Sequence, residues 1–295
     1  MTRSVSVEAF AKINLSFEVI GRRSDGMHEV ATVLQTISLA DHLSFSPAGD
    51  VVLVCDGMPV TPDNLILRAA HLLGQATGND GCWITCLKRI PVAGGLGGGS
   101  ADAGATLRGL NALWRSGFSR QQLAALSSSL GADVPFAVHS GTALATGIGT
   151  SLALLPDAPH HWMVLVPLAA ENGAKTREMY QLIQPDDFTD GSRTAALALA
   201  ISQGRLEYEA VESTFTRYAI DRWAVVGTGL DVLRSVGAAA ASVSGAGPSF
   251  FGLFDSRATA RAGVARVAQL GLDARVTRFV PGDMLPRLRA SDILR

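Results

Sequence analysis

Five glycines fall within seven residues, Gly94-Gly95-Leu96-Gly97-Gly98-Gly99-Ser100, between a strand-like run (Trp83 to Leu87) and a helical stripe (Ala103, Leu107, Leu110, Trp114). Glycine reaches backbone conformations closed to other residues and carries no side chain to hold an anion away from the N–H groups. A helix that begins there adds the positive end of its dipole. The segment predicts a strand–loop–helix unit that cradles phosphate. Its spelling excludes two other phosphate loops. It has no lysine for a G-x-x-x-x-G-K-[ST] loop. Read from Gly95, it has Ser100 where the dinucleotide fingerprint needs its last glycine, and no acidic partner closes a following strand. A flexible hinge is the other reading of a glycine run, and the helical stripe directly after it argues against one.

The rest of the chain supplies the frame. From Lys12 to Val19, apolar Ile13, Leu15, Phe17 and Val19 alternate with Lys12, Asn14, Ser16 and Glu18. This predicts a strand with one buried face and with Lys12 and Asn14 together on the polar one. Residues 21–26 read as a turn, and a second apolar run covers Val30 to Leu39. Val51 to Val54 is strand-like, and Asp63-Asn64 precedes a helix striped by Leu65, Ala69, Leu72 and Leu73. Ser119 with Gln122 forms a capping-box pattern for a helix expected to stop at Gly131. Asp133-Val134-Pro135 starts a new element, and Thr142 to Thr146 another strand. Pro156 and Pro159 break the pattern, which puts a domain boundary there, with domains at 1–155 and 156–295. Beyond it come strands at Trp162 to Val166, Phe250 to Phe254 and Ala274 to Phe279. Helices fall around Thr176–Tyr180, Ala195–Ile201 and Ala258–Leu270, and a further glycine motif is Ser244-Gly245-Ala246-Gly247-Pro248-Ser249. Strands and helices do not alternate steadily, so the expected class is α+β.

Composition narrows the partners. A net charge of −1 and a pI near 6.6 leave no basic field for nucleic acid or an anionic membrane. No apolar run approaches the length of a membrane span, and the first residues lack a signal-peptide pattern. A cytoplasmic protein is expected, with Cys55, Cys82 and Cys86 as reduced, packed thiols. Lysine occurs only at Lys12, Lys88 and Lys175, so a lysine inside an apolar pattern stands out.

Pro91-Val92-Ala93-Gly94-Gly95-Leu96-Gly97-Gly98-Gly99-Ser100 resembles the central motif of the GHMP kinases. Ala11-Lys12-Ile13-Asn14-Leu15 is similar to the first motif of that family, and Ser244 to Ser249 to the third, in the same order. The stretches 21–29 and Leu130-Gly131-Ala132-Asp133-Val134-Pro135-Phe136 extend the likeness. They direct it to kinases of the non-mevalonate isoprenoid route, whose acceptor is a sugar alcohol joined to cytidine diphosphate.

The resemblance implies a two-domain fold, with an N-terminal domain like the second domain of ribosomal protein S5 and a ferredoxin-like C-terminal domain. It implies ATP as phosphoryl donor, Mg2+, a small-molecule acceptor, and a monomer or homodimer. By the resemblance Asp133 is the general base and Lys12 the electrostatic stabiliser, although Asp133 before Val-Pro is equally a helix N-cap. Asn64, Pro91 and the loop from Gly94 through Gly95, Leu96, Gly97, Gly98 and Gly99 to Ser100 are placed at ATP, with the Ser100 hydroxyl a contact for phosphate or Mg2+. Asn14, Met27, His28, Thr176 and Tyr180 are placed at the acceptor, His28 and Tyr180 around its base. Three positions depart from the pattern. Ala101 replaces a second serine, Met27 replaces a ring, and Glu207 to Glu212 lacks an asparagine. A GHMP kinase for another alcohol, or a nucleotide-binding regulator on the same fold, are the competing readings.

Overall fold

The computed structural model describes residues 4–56, 59–169 and 175–282. Its first half runs β1 (Val5–Arg22), β2 (His28–Ser46), β3 (Val51–Asp56), α1 (Leu65–Thr77), β4 (Cys82–Leu87), α2 (Gly98–Leu113), α3 (Arg120–Ser127), α4 (Val134–His139), β5 (Thr142–Gly147) and β6 (Ser151–Leu155). The second runs β7 (Trp162–Val166), α5 (Lys175–Leu182), α6 (Ser192–Ser202), α7 (Thr216–Arg222), α8 (Ala224–Ser235), β8 (Ala240–Val243), β9 (Phe250–Phe254), α9 (Arg257–Ala268) and β10 (Arg275–Arg278). Residues 283–295, the end of the expected second domain, lie outside the described set.

Two sheets organise the chain. The larger has the order β3-β4-β2-β5-β6, with β1 also paired to β2, and the smaller the order β10-β7-β9-β8. Apart from the parallel pair β3–β4, the strands pair antiparallel. The turn from β1 into β2 is fixed by Asp25, whose Oδ1 accepts the Met27 N–H at 3.0 Å, and by Gly26 at φ +83°. One core lies between the large sheet and α1 and α2, where Ile13, Phe45, Leu73, Leu107 and Leu110 are buried together. Helix α2 comes so close that a Cβ on Gly109 would meet the Phe45 ring at 2.3 Å. A second core, with Val164, Leu230, Phe250 and Phe254, backs the small sheet.

Sequence expectation and structure differ at three elements. Strand β1 carries register shifts between Phe10 and Lys12, Asn14 and Ser16, and Val19 and Gly21. Its polar face is not solvated, since Asn14, Ser16 and Glu18 are all buried. The second half covers it. Glu18 accepts the Thr194 N–H of α6 at 2.6 Å, and the Thr194 hydroxyl donates to Ser16 Oγ at 3.0 Å. Helix α3 has the expected Ser119–Gln122 capping box but stops at Ser127, not Gly131. There the Ser127 and Ser128 hydroxyls bond back to the carbonyls of Ala124 and Ala125, as serine does when it competes with the helix ladder. Gly98, Gly99 and Ser100 belong to the first turn of α2, not to a loop before it.

Candidate active site

A cleft of about 1170 Å³ runs between the two halves. One end is the glycine segment. Gly95 and Gly97 have φ of +82° and +69°, and neither has room for a side chain. A Cβ on Gly95 would lie 2.6 Å from the Ser244 carbonyl oxygen, and one on Gly97 2.9 Å from the Lys12 chain. Gly97 is the N-cap of α2 and offers no capping side chain, so the first-turn N–H groups stay open to an anion. Gly95, Gly97 and Ser100 line the cleft, joined by Gly245, Ala246 and Gly247 of the later glycine motif. The two motifs interlock through the Ser244 hydroxyl, which donates to the Gly95 carbonyl at 3.0 Å.

Six other residues expected at the nucleotide sit outside the cleft lining. Leu96 is a core side chain, 1% exposed, and contributes only its carbonyl, which accepts the Lys12 N–H at 3.0 Å. Gly94 is buried against the Leu168 carbonyl and Ser249 hydroxyl of the second half, where a Cβ would clash at 2.8 and 2.9 Å. Asn64 caps α1, its Oδ1 accepting the Ile66 N–H at 2.9 Å, and Pro91 is half-buried at the entry to the loop. In the first turn of α2, Gly99 is exposed and Gly98 is half-buried against Ile90.

Beside the glycine segment, Lys12 and Asp133 come together, Nζ to Oδ2 at 3.5 Å. Asp133 occupies the N-cap position of α4, yet its side chain makes no capping bond. The carboxylate instead faces the cleft and the ammonium. Lys12 also donates to Asn14 Oδ1 at 2.8 Å. Asn14 lines the cleft, but both ends of its amide are engaged within the protein, the other donating to Thr32 Oγ1 at 2.7 Å.

The far end is aromatic. The His28 and Tyr180 rings lie 5.0 Å apart at 30°, Phe188 meets His28 edge-on at 6.4 Å, and Phe215 meets Tyr180 edge-on at 5.0 Å. Met27 stands 51% exposed at the rim, and Thr176 lines the cleft from the first turn of α5. Burial and the neighbouring Arg22 hold His28 below its usual pKa, favouring a neutral ring. Burial, helped by Asp133, pushes the Tyr180 hydroxyl up and keeps it protonated. Phe17, Arg22, Arg177, Phe188 and Phe215 also line this cleft, and sequence reasoning missed them. Phe188 and Phe215 are marked in the sequence only as Asp-Phe and Thr-Phe pairs, which many surface turns share.

Comparison with known proteins decides what such a cleft belongs to. The family described as GHMP kinases N terminal domain matches residues 64–141, and that described as GHMP kinases C terminal matches residues 226–272. A Pelotomaculum thermopropionicum protein named 4-diphosphocytidyl-2-C-methyl-D-erythritol kinase is 39% identical over 281 residues, 93% of this chain and 97% of its own length. One of the same name from Dehalococcoides mccartyi is 36% identical over 267 residues, 90% of this chain and 94% of its own. The chain belongs to the GHMP kinases. It is a small-molecule kinase with ATP as phosphoryl donor. A crystal structure of 4-(cytidine 5'-diphospho)-2C-methyl-D-erythritol kinase matches this GHMP kinase with a TM-score of 0.80 at 32% identity, over 93% of this chain and 98% of that one. Homoserine kinase from Cytophaga hutchinsonii, at 16% identity and a TM-score of 0.72 over 95% of this chain and 96% of that one, shares the two-domain fold.

Beneath the glycine segment this GHMP kinase holds a buried ionic group that sequence reasoning did not assign. Lys88 donates to Asp41 at 2.5 Å and to Asp102 of α2 at 2.6 Å. Asp41 also accepts the N–H groups of Arg89 and Ile90 at 2.5 and 2.8 Å. Burial, partly offset by Lys88 and reinforced by Asp41, lifts Asp102 to about 7. Lys88 lies under the first turn of α2, 3.6 Å from where a Cβ on Gly98 would be. The signal was available in the scarcity of lysine and in an aspartate set among the small, buried residues of α2. Among the described residues no cluster of three or more His, Cys, Asp or Glu side chains forms a metal site, and no helix is long and apolar enough to cross a membrane.

Proposed function

We propose that this kinase transfers the γ-phosphoryl group of ATP to the 2-hydroxyl of 4-diphosphocytidyl-2-C-methyl-D-erythritol, a step of non-mevalonate isoprenoid synthesis. The observation that carries the reading is the meeting of Lys12 and Asp133 at 3.5 Å between an anion-binding helix mouth and an aromatic pocket. Relatives named for that substrate support it.

Phosphoryl transfer needs positioning and charge neutralisation more than covalent chemistry. The open N–H groups of the first turn of α2, with Gly95 and Gly97, hold the triphosphate. The acceptor hydroxyl enters beside Asp133, which takes its proton as the oxygen attacks phosphorus. The Lys12 ammonium stabilises the charge growing on the oxygens. His28, Tyr180 and Thr176 receive the cytidine end, with Met27 laid against the base as a thioether in place of a ring. The donor set fits Mg2+ only as a partner of the triphosphate, because Ser100 at the helix mouth is a hard oxygen donor without a carboxylate cluster around it. Mg2+ held there with the Ser100 hydroxyl would neutralise phosphate charge. Asn64 is assigned to the adenine side and Pro91 to the ATP site. The two domains are divided at 155/156.

A second reading has a specific basis. Met27 is a flexible, exposed side chain where the resembling kinases have a ring, which suits an acceptor without a cytosine. An ADP-release screen of small alcohols with and without a cytidine diphosphate group separates the two. Turnover confined to the cytidine diphosphate-linked alcohol supports the first reading. Equal or better turnover of an unlinked alcohol establishes the second.

A further inference from the structure

The polarity of the hydrogen bonds around Lys12 is dictated by a group that cannot donate. The Ser16 carbonyl accepts the Thr32 hydroxyl proton at 2.6 Å. A hydroxyl has one proton, so Thr32 Oγ1 is left as an acceptor. It accepts from Asn14 Nδ2 at 2.7 Å. The amino side of the Asn14 amide must therefore face Thr32, and its carbonyl oxygen must face Lys12 Nζ, 2.8 Å away. Heavy-atom positions alone leave an amide free to flip. Here the backbone carbonyl fixes its sense two links away. Burial seals the chain, for Thr32 and Asn14 are each 3% exposed and Ser16 is 0% exposed. Strand β1 shifts register between Asn14 and Ser16, the point at which the Ser16 carbonyl takes a side-chain partner from β2.

A flipped Asn14 would present two N–H donors to an ammonium that has no lone pair to offer them. It would push Lys12 away from Asp133. We propose that Thr32 is a positioning residue for phosphoryl transfer, holding the Asn14 amide with its oxygen toward Lys12 and so aiming the ammonium at the reacting oxygens beside Asp133. This rests on the role given to Lys12 above.

A double-mutant cycle on the full chain tests it, with kcat and the ATP KM of wild type, Thr32→Val, Lys12→Met and the double variant read by ADP release. Loss of one charge-assisted hydrogen bond lowers kcat roughly tenfold or more in Thr32→Val, with the ATP KM within about twofold of wild type. Thr32→Ser, which keeps the hydroxyl, restores kcat. Thr32→Val adds no further loss in the Lys12→Met background, which a general packing role would not reproduce. Wild-type kcat in Thr32→Val, failure of Thr32→Ser to rescue, or an undiminished loss in the Lys12→Met background overturns the proposal while leaving the role of Lys12 standing. Wild-type turnover in Lys12→Met instead overturns that role and the proposal with it. If Thr32→Val does not fold, Thr32→Ala, which only shortens the side chain, takes its place in the cycle with the same expected and overturning outcomes.

Discussion

Asp133 occupies a helix N-cap but gives its carboxylate to Lys12 instead of to the backbone of α4. At the level of single residues this is the feature on which the proposed base role rests, and sequence cannot distinguish base from cap, because either role suits Asp before Val-Pro. Lys12 was legible for a different reason: few lysines exist to compete with it, and it heads the alternating run from Lys12 to Val19. Asn14 was legible as its neighbour on one face, but not as a link to Thr32, since a bulge in β1 and a residue of β2 are needed to see that. Met27 offers a prediction at this scale. Replacing it with the ring of the resembling kinases, Met27→Tyr, gives the cytosine a rigid stacking partner worth about 0.5–1.5 kcal/mol. The KM for the cytidine diphosphate-linked acceptor should fall roughly two- to tenfold with kcat little changed, as measured by ADP release over a range of acceptor concentrations.

The first turn of helix α2, proposed to hold the triphosphate, is where local sequence and long-range packing meet. The glycines announced an anion site and a helix start. They could not show that Gly98 rests on Ile90 and Lys88, because that contact joins α2 to the residues after β4. Lys88 is 11% exposed between two buried carboxylates. Removing one partner of a buried ionic group strands the others, which costs about 3–5 kcal/mol. Lys88→Met should therefore lower unfolding stability by about that amount in a urea titration. A replacement at Gly95 disturbs the same region differently. Gly95→Ala forces a Cβ to within 2.6 Å of the Ser244 carbonyl at a φ of +82°. It should raise the ATP KM at least about tenfold by prying apart the two glycine motifs, a change read in steady-state kinetics at saturating acceptor.

Across the whole molecule, the cleft exists because two halves meet along β1, with Met163, Leu165, Leu197 and Phe251 of the second half joining the buried core of the first. The α+β mixture was visible as irregular alternation. The seam was not, since residues that look polar and solvent-facing in β1 are buried there by α6. Periodicity reports which side chains are polar, not whether a later segment arrives to satisfy them. The aromatic end was only partly legible for the same reason, its rings coming from β1, β2, α5 and the loops before α6 and α7. A nucleotide gripped between the halves should stabilise the entire chain, and ADP at about 100 times its Kd adds about 2.7 kcal/mol, seen as a higher melting temperature. The convergence of Lys12 and Asp133 in the cleft likewise depends on the complete fold, since one comes from β1 and the other from the start of α4. Turnover of Asp133→Asn with saturating ATP and the cytidine diphosphate-linked alcohol tests that convergence most directly. A proton acceptor lost from the attacking hydroxyl predicts a kcat at least about 100-fold below wild type, with the ATP KM within about threefold. A kcat within about twofold of wild type would contradict it.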